Sequence, residues 1–355
     1  MPQQLNIFAQ QPDEDDDVFF RRPAEPARPR LLAVPAPALG TVTAIPAPKP
    51  KSKPTARRYP VPRGTDPHRA AQRIAEAAAD AWHRNHGGGS MEVPVGVVAA
   101  LSLWPLKGPD APLQADFILG LDAPDLVQLL RECWAYWWMR RPDLVQRAAP
   151  IAQWMEEDLD RHRLACVKAV ARAAITNGLL TVTGSSDPGD LAECDLMSWM
   201  ITGLRSRGSR QWLGEFHTPP EVCEMMARVQ LDEGDIGPGF SMLEPTVGTG
   251  GMVRAMAQAL RERDIDPAQC RWHLVELDPI AAAGAAVNMM LWGMGPRTTV
   301  WCGNTLAPVD TAKLAKEEKA ELFELRDRME AGMAVAYAVG RAQQLFAECG
   351  MEKAA

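Results

Sequence analysis

The residues most able to do chemistry lie in two short runs, each following an apolar, strand-like segment. The first is Glu244-Pro245-Thr246-Val247-Gly248-Thr249-Gly250-Gly251. Glycines at 248, 250 and 251 permit positive φ and let a ligand approach the backbone closely. Tight turns without any ligand use the same residues, so the run is a weak signal alone. Val253 stands where a dinucleotide-binding G-x-G-x-x-G turn has its last glycine, which argues against a pyrophosphate ligand. An acid at the carboxyl end of the strand, Glu244, instead suits a cationic group such as an ammonium or a sulfonium.

The second run is Glu276-Leu277-Asp278-Pro279, after Trp272 to Val275. A carboxylate at Glu276 can accept both hydroxyls of a ribose. It can equally sit there to favour the N-terminus of the following helix. The company of the glycine turn favours ribose. Upstream, Gly214-Glu215-Phe216-His217-Thr218-Pro219-Pro220-Glu221 contains a capping box from Thr218 to Glu221, with Pro219 at the first helical position. A helix N-terminus also holds carboxylates well, and the two readings are compatible.

These residues need a frame, and the hydrophobic pattern supplies one. Phe240 to Leu243, Trp272 to Val275 and Thr298 to Cys302 read as strands, with helices over Met252 to Arg263 and Ile280 to Trp292 between them. Alternating strands and helices predict a parallel, doubly wound α/β sheet. A further helix, Glu221 to Val229, precedes it. Residues 66–205 read as an all-helical domain, with helices at His68 to His86, Val93 to Leu103, Asp125 to Met139, Leu144 to Leu159 and Arg163 to Ile175. Gly87-Gly88-Gly89 stops the first. Trp134, Trp137 and Trp138 could stack on bases. Their helical spacing with Leu126, Leu129, Leu130 and Cys133 reads more simply as core.

Residues 1–65 are rich in Pro, Ala and charge, and predict a disordered tail. Its basic tract, Lys49 to Arg58, is read as solvated, with phosphate contact as the alternative. Residues 311–355 read as a charged helical segment. Hydrophobic residues make up 46% of the 355, enough for a sizeable core, while the net charge of −7 excludes a surface that is basic overall. Contact with nucleic acid would therefore need a local basic face or a partner. The seven cysteines are scattered singly, without C-x-x-C or zinc-ligand spacing, so reduced thiols and no metal site are expected. No signal peptide and no membrane-spanning run is visible, and a soluble cytoplasmic protein is expected.

The order F-x-T-P, E-P-x-x-G-x-G-G, V-E-L-D-P, N-M-x-L-x-G and G-N-T-L resembles the N6-adenine DNA methylase family, in particular the modification subunit of type I restriction-modification systems. The resemblance covers roughly residues 210–310 and implies a Rossmann-like sheet that binds S-adenosylmethionine in a domain over 206–310. By that resemblance Phe216, Thr218 and Pro219 meet the methionine part of the cofactor. Glu244, Pro245, Gly248, Thr249 and Gly250 form the glycine turn, and Glu276 holds the ribose. Gly303-Asn304 matches a Gly-Asp pair whose acid bonds the adenine amino group; the carbonyl of Asn304 can accept that bond as a neutral group. Asn288 matches a structural asparagine.

The family's catalytic motif, Asp or Asn before Pro-Pro and an aromatic, is absent. The one Pro-Pro pair is Pro219-Pro220, followed by Glu221. No catalytic residue is therefore assigned. Nothing after Asp310 reads as a strand, so the first strand is expected at a sheet edge, covered by the C-terminal helix, another copy or a different chain. Three functions stay open: a degenerate or split DNA adenine-N6 methyltransferase, a non-catalytic cofactor-binding scaffold of a modification or restriction complex, and a methyltransferase acting on RNA or protein.

Overall fold

The computed structural model describes residues 59, 61, 64–86, 89–205, 218–232, 237 and 239–348. Phe216, the segment Gly214 to His217 and nearly all of the expected tail lie outside these residues.

The chain begins with a helical layer. Asp66 accepts the Arg69 amide at 2.9 Å and starts α1, Pro67–His86. Ala71, Ile74, Ala78 and Trp82 form its buried stripe, spaced as an amphipathic helix requires. Glu92–Ser102, α2, is buried on nearly every face. Gly96 is required there, since a Cβ would stand 1.8 Å from the Ile151 carbonyl oxygen. There follow α3 (Ala115–Gly120), α4 (Ala123–Trp138), α5 (Pro142–Arg147) and α6 (Ala149–Ala152). The expected single helix from Leu144 to Leu159 is broken into α5, α6 and a 3-10 turn over Gln153–Glu156. Pro150 lies in its middle, lacks an amide proton and crowds the preceding turn.

The helical layer continues with α7 (Arg161–Thr176), α8 (Leu179–Val182), α9 (Pro188–Leu191) and α10 (Leu196–Leu204). Aspartates cap α4, α7 and α10: Asp122, Asp160 and Asp195 each accept an amide three residues on. Trp134 is core, and Trp137 packs against it with its indole donating to the Leu103 carbonyl at 2.8 Å. The core reading of the tryptophan stripe therefore holds for these two.

After α11, Pro220–Asp232, comes the sheet. Strands β1 (Ser241–Glu244), β2 (Arg271–Glu276) and β3 (Thr298–Cys302) are parallel and lie in the order 1-2-3. Helices α12 (Gly251–Arg261) and α13 (Pro279–Leu291) are the crossovers. Right-handed crossovers in this order place both helices on one face. Burial follows in the main: Met242, Trp272, Thr298, Leu274 and Val300 are buried, whereas on the other face Leu243, His273, Thr299 and Trp301 are half-buried and Val275 is buried. The α/β expectation is thus observed. A continuous cluster of buried side chains runs from Ala71 in α1 through α10 to Val300 in β3, so helices and sheet share one core.

Among the described residues β1 is at the sheet edge, as expected. The C-terminal helix α14, Thr311–Glu348, packs on β3 and α5, at the opposite side of the sheet. A buried charge cluster fastens it. Arg141 pairs with Asp143 at 2.8 Å, and Lys319 lies 3.5 Å from the same carboxylate. Arg141 also donates to the Gly295 and Thr298 carbonyls, and Lys319 to those of Pro296 and Thr298. The chain entering β3 is therefore clasped from the helical layer on one side and from α14 on the other.

On the half-covered face, His273 of β2 bonds Thr299 through Nδ1 at 2.9 Å and Thr311 through Nε2 at 3.0 Å, tying the first turn of α14 to the sheet. Burial brings the imidazole pKa down to about 4, with Lys316 adding and Asp310 opposing. The folded pKa is thus below the unfolded value near 6.5. The stability this site contributes is complete above that value and is lost as pH falls from there through about 4. Thermal melts across this window should show a falling Tm whose slope is shallower in His273→Leu. Equal slopes in the two proteins would refute the assignment.

Candidate functional site

Three strand ends meet at one edge of the sheet. The register aligns Glu244 with Leu274 and Glu276 with Cys302, so the turns after all three strands open on the same side. In open α/β sheets this carboxyl edge is where ligands bind.

The glycine turn is built by backbone bonds. Val247 donates to Val275 at 2.9 Å, and Gly250 donates back to Val247 at 2.8 Å. Gly248 and Gly250 have φ of 56° and 105°, a region that penalises any Cβ. Gly250 is also packed against Met289 and Trp292, where a Cβ would approach to 2.9 Å and 3.1 Å. Around Gly248 there is open space, with no atom within 4 Å of a Cβ position. The turn therefore has a rigid inner glycine and an accessible outer one, the arrangement a ligand approaching the backbone needs.

Glu276 closes the other wall. Its Oε2 accepts the Gly248 amide at 2.7 Å, and its Oε1 accepts the Asp278 amide at 2.9 Å. One carboxylate thereby joins the two turns. Of its roughly four lone-pair positions, about two remain for hydroxyl donors. The cap of α13 is a different acid: Asp278 accepts the Ile280 and Ala281 amides at 3.3 Å and 3.2 Å. The alternative role weighed for Glu276 thus belongs to Asp278, which is also ion-paired with the buried Arg205.

Glu244 is 8% exposed and accepts from the Thr246 amide at 3.3 Å. Burial raises its carboxyl pKa, the two Thr246 bonds oppose that, and the nearby Glu276 charge adds to it. No cation neutralises it among the bonds and ion pairs of the described residues, so it suits a ligand that brings a positive charge. Pro245 is half-buried beside it.

The remaining candidates divide. Thr249 is 2% exposed, and its hydroxyl is spent on Asp195 at 2.6 Å, so it faces the interior and shapes the turn from behind. Thr218 and Pro219 are exposed at the start of α11. That helix opens at Pro220 rather than Pro219, since Pro219 supplies the first carbonyl, which accepts from the Val222 and Cys223 amides at 3.0 Å and 3.1 Å. Asn304 is exposed after β3, with its Oδ1 accepting the Leu306 amide at 2.9 Å. Its carbonyl is thus already used locally, though one lone pair remains. Asn288 is buried and bridges Asp195 and the Thr249 carbonyl, as a structural residue would.

Sequence reasoning passed over Leu277, which is 69% exposed between two acids whose carboxylates face inward bonds. An apolar residue held outward at a strand end offers a flat apolar surface beside Glu276. The signal was present in Glu276-Leu277-Asp278, where a leucine interrupts polar residues with no strand left to bury it. Asp195 was also missed, and no local pattern announces it beyond its helix cap.

This edge offers a ligand a carboxylate with free lone pairs in Glu276, open backbone at Gly248, a buried acid in Glu244 with no cation bonded to it among the described residues, and an exposed apolar side chain in Leu277. Residues 198–322 match the family model described as N-6 DNA Methylase. The match begins in α10 and ends in α14, enclosing the glycine turn and Glu276. No curated protein matches the chain.

Proposed function

With an N-6 DNA methylase domain as premise, we propose that this chain binds S-adenosylmethionine at the carboxyl edge of its sheet and supplies the cofactor half of a DNA adenine-N6 methyltransferase. The bond from Gly248 to Glu276 carries the reading, because it makes the glycine turn and the ribose acceptor a single unit. When bound, the cofactor supplies an electrophilic methyl on a sulfonium, and transfer to an exocyclic nitrogen depends mainly on positioning. This chain's residues hold the ribose through Glu276, admit the cofactor at Gly248, and meet the ammonium through Glu244. Asn304 receives the adenine amino group, Leu277 lies against the adenine face, and Thr218 and Pro219 border the methionine end.

The acceptor half lies outside these 355 residues, on further chain or on a partner. No Asp/Asn-Pro-Pro-aromatic run occurs in the sequence, and among the described residues β1 is the outermost strand on its side of the sheet, where a further parallel strand would pair. The same absence favours a second reading, in which the chain is a cofactor-binding scaffold within a modification complex. Radiolabelled methyl transfer to unmethylated DNA separates the two. Activity is expected only when co-purifying protein is present. Incorporation by these residues alone would refute a missing acceptor half, and none in the complex would favour the scaffold. No helix of the described residues is long and apolar enough to cross a membrane.

Glu244 gives the site a pH signature. Its raised pKa leaves more of it protonated in mildly acidic solution, and only the ionised form pairs with an ammonium. Affinity for S-adenosylhomocysteine should therefore rise as pH increases from acidic towards neutral. In Glu244→Gln the curve should flatten; an unchanged slope in calorimetry would remove Glu244 from the ligand contacts.

A further inference from the structure

The helical layer reaches the cofactor turn through one buried acid. Asp195 is 6% exposed and lies just before the residues matched by the methylase family, so neither motif nor family points to it. Its Oδ1 caps α10 by accepting the Ser198 amide at 2.9 Å and also accepts the Asn288 side-chain amide at 2.7 Å. Its Oδ2 accepts the Thr249 hydroxyl at 2.6 Å. Asn288 donates in addition to the Thr249 carbonyl at 2.8 Å. Thr249 is thereby gripped at its side chain and at its backbone, between the two positive-φ glycines of the turn.

A cap alone does not need this geometry. One acceptor oxygen satisfies an N-cap, as Asp122 and Asp160 show in α4 and α7. Asp195 directs its second oxygen out of its own helix, into a turn far along the sequence. Packing reinforces the link: a Cβ on Gly284 of α13 would press against Ile201 and Met197 of α10 and Thr249 of the turn, at 3.1–3.4 Å. Only glycine at 284 lets the three segments close to this distance. The neighbouring Cys194 thiol, pushed up to about 12 by burial with Asp195 adding, is not a competing charge there.

We propose that Asp195 is a positioning residue of the cofactor site: by holding Thr249 through its hydroxyl, it keeps the 247–250 turn in the conformation that presents Gly248 to the ligand and to Glu276. The cap of α10 is in consequence part of the binding apparatus, and ligand affinity depends on the docking of that helix on the turn. This rests on the cofactor reading of the turn.

The test uses the full chain and S-adenosylhomocysteine, with affinity by calorimetry and amide hydrogen exchange over residues 245–252, both well below the unfolding transition. Asp195→Ala and Thr249→Val are each expected to weaken binding about 10-fold or more, as loss of a buried charge-assisted hydrogen bond does. Both should speed exchange in the turn. Thr249→Ser, which keeps the hydroxyl, should restore affinity to within about threefold. Val170→Ala, a cavity in the buried face of α7, which makes no bond to the turn, should lower Tm and leave affinity unchanged.

Near-wild-type affinity and exchange in Thr249→Val would overturn the proposal. So would an equal loss in Val170→Ala, which would mark the effect as general destabilisation. If the wild type itself binds no ligand, the cofactor reading falls and this inference with it. If the wild type binds and the Asp195 and Thr249 variants bind equally well, this inference alone falls.

Discussion

Glu276→Ala is expected to weaken S-adenosylhomocysteine binding by at least about 100-fold, the cost of removing two hydrogen bonds to a charged acceptor. The variant loses the hydroxyl acceptor and also the bond that holds Gly248 to β2. Glu276→Gln distinguishes the two. A glutamine carbonyl still accepts from one amide or one hydroxyl, but its NH2 group faces a second donor. It should therefore recover only part of the affinity. Calorimetry on both variants, with circular dichroism to confirm folding, is the check. Binding by Glu276→Ala within about threefold of the wild type would exclude Glu276 as the ribose ligand.

The second large effect is on stability. Asp143→Ala leaves Arg141 and Lys319 buried without their shared anion. Burial alone would raise the Asp143 carboxyl, but the two cations outweigh it and hold it below the usual range. Lys319 is brought down to about 8 by burial, helped by Arg141 and opposed by Asp143. Without the aspartate, both cations lose this shared carboxylate while the carbonyls of Pro296 and Thr298 still fix Lys319 in place. Breaking such a buried pair from one side costs about 3–5 kcal/mol. Urea unfolding followed by tryptophan fluorescence should show that loss, and Asp143→Leu combined with Lys319→Met should recover a part of it. A change below about 1 kcal/mol would place the cluster with weak, solvent-screened pairs.

Much of the fold was legible from local pattern. The three strands and their crossover helices follow from short apolar runs alternating with longer helical ones, and the observed β1 to β3 match them closely. The core placement of Trp134 and Trp137 in α4 followed from helical spacing, and the helical reading of 311–348 from its charge and lack of strand character. Over 144–159 the apolar spacing suits one helix, but Pro150 divides it because a proline removes an amide donor from the helix interior. The placement of Glu244, Gly248, Gly250 and Glu276 in turns at one edge of the sheet was legible because those turns follow strand ends. The inward-facing Thr249 was not separable from them, since sequence does not say which side of a turn faces the ligand.

The sequence by itself determined the α/β order, the glycine turn and its acids, and the lack of an Asp/Asn-Pro-Pro-aromatic run. Each of these is written in neighbouring residues, through periodicity or through backbone conformations that only glycine tolerates. Tertiary structure alone decided that Glu276 rather than Asp278 is bonded to the turn, that Thr249 looks inward, and that Asp195 holds it. Those bonds join segments distant in the chain, and their partners are chosen by packing: Gly284 lets α10 and α13 close on the turn, and only then does a capping aspartate find a second use for its free oxygen.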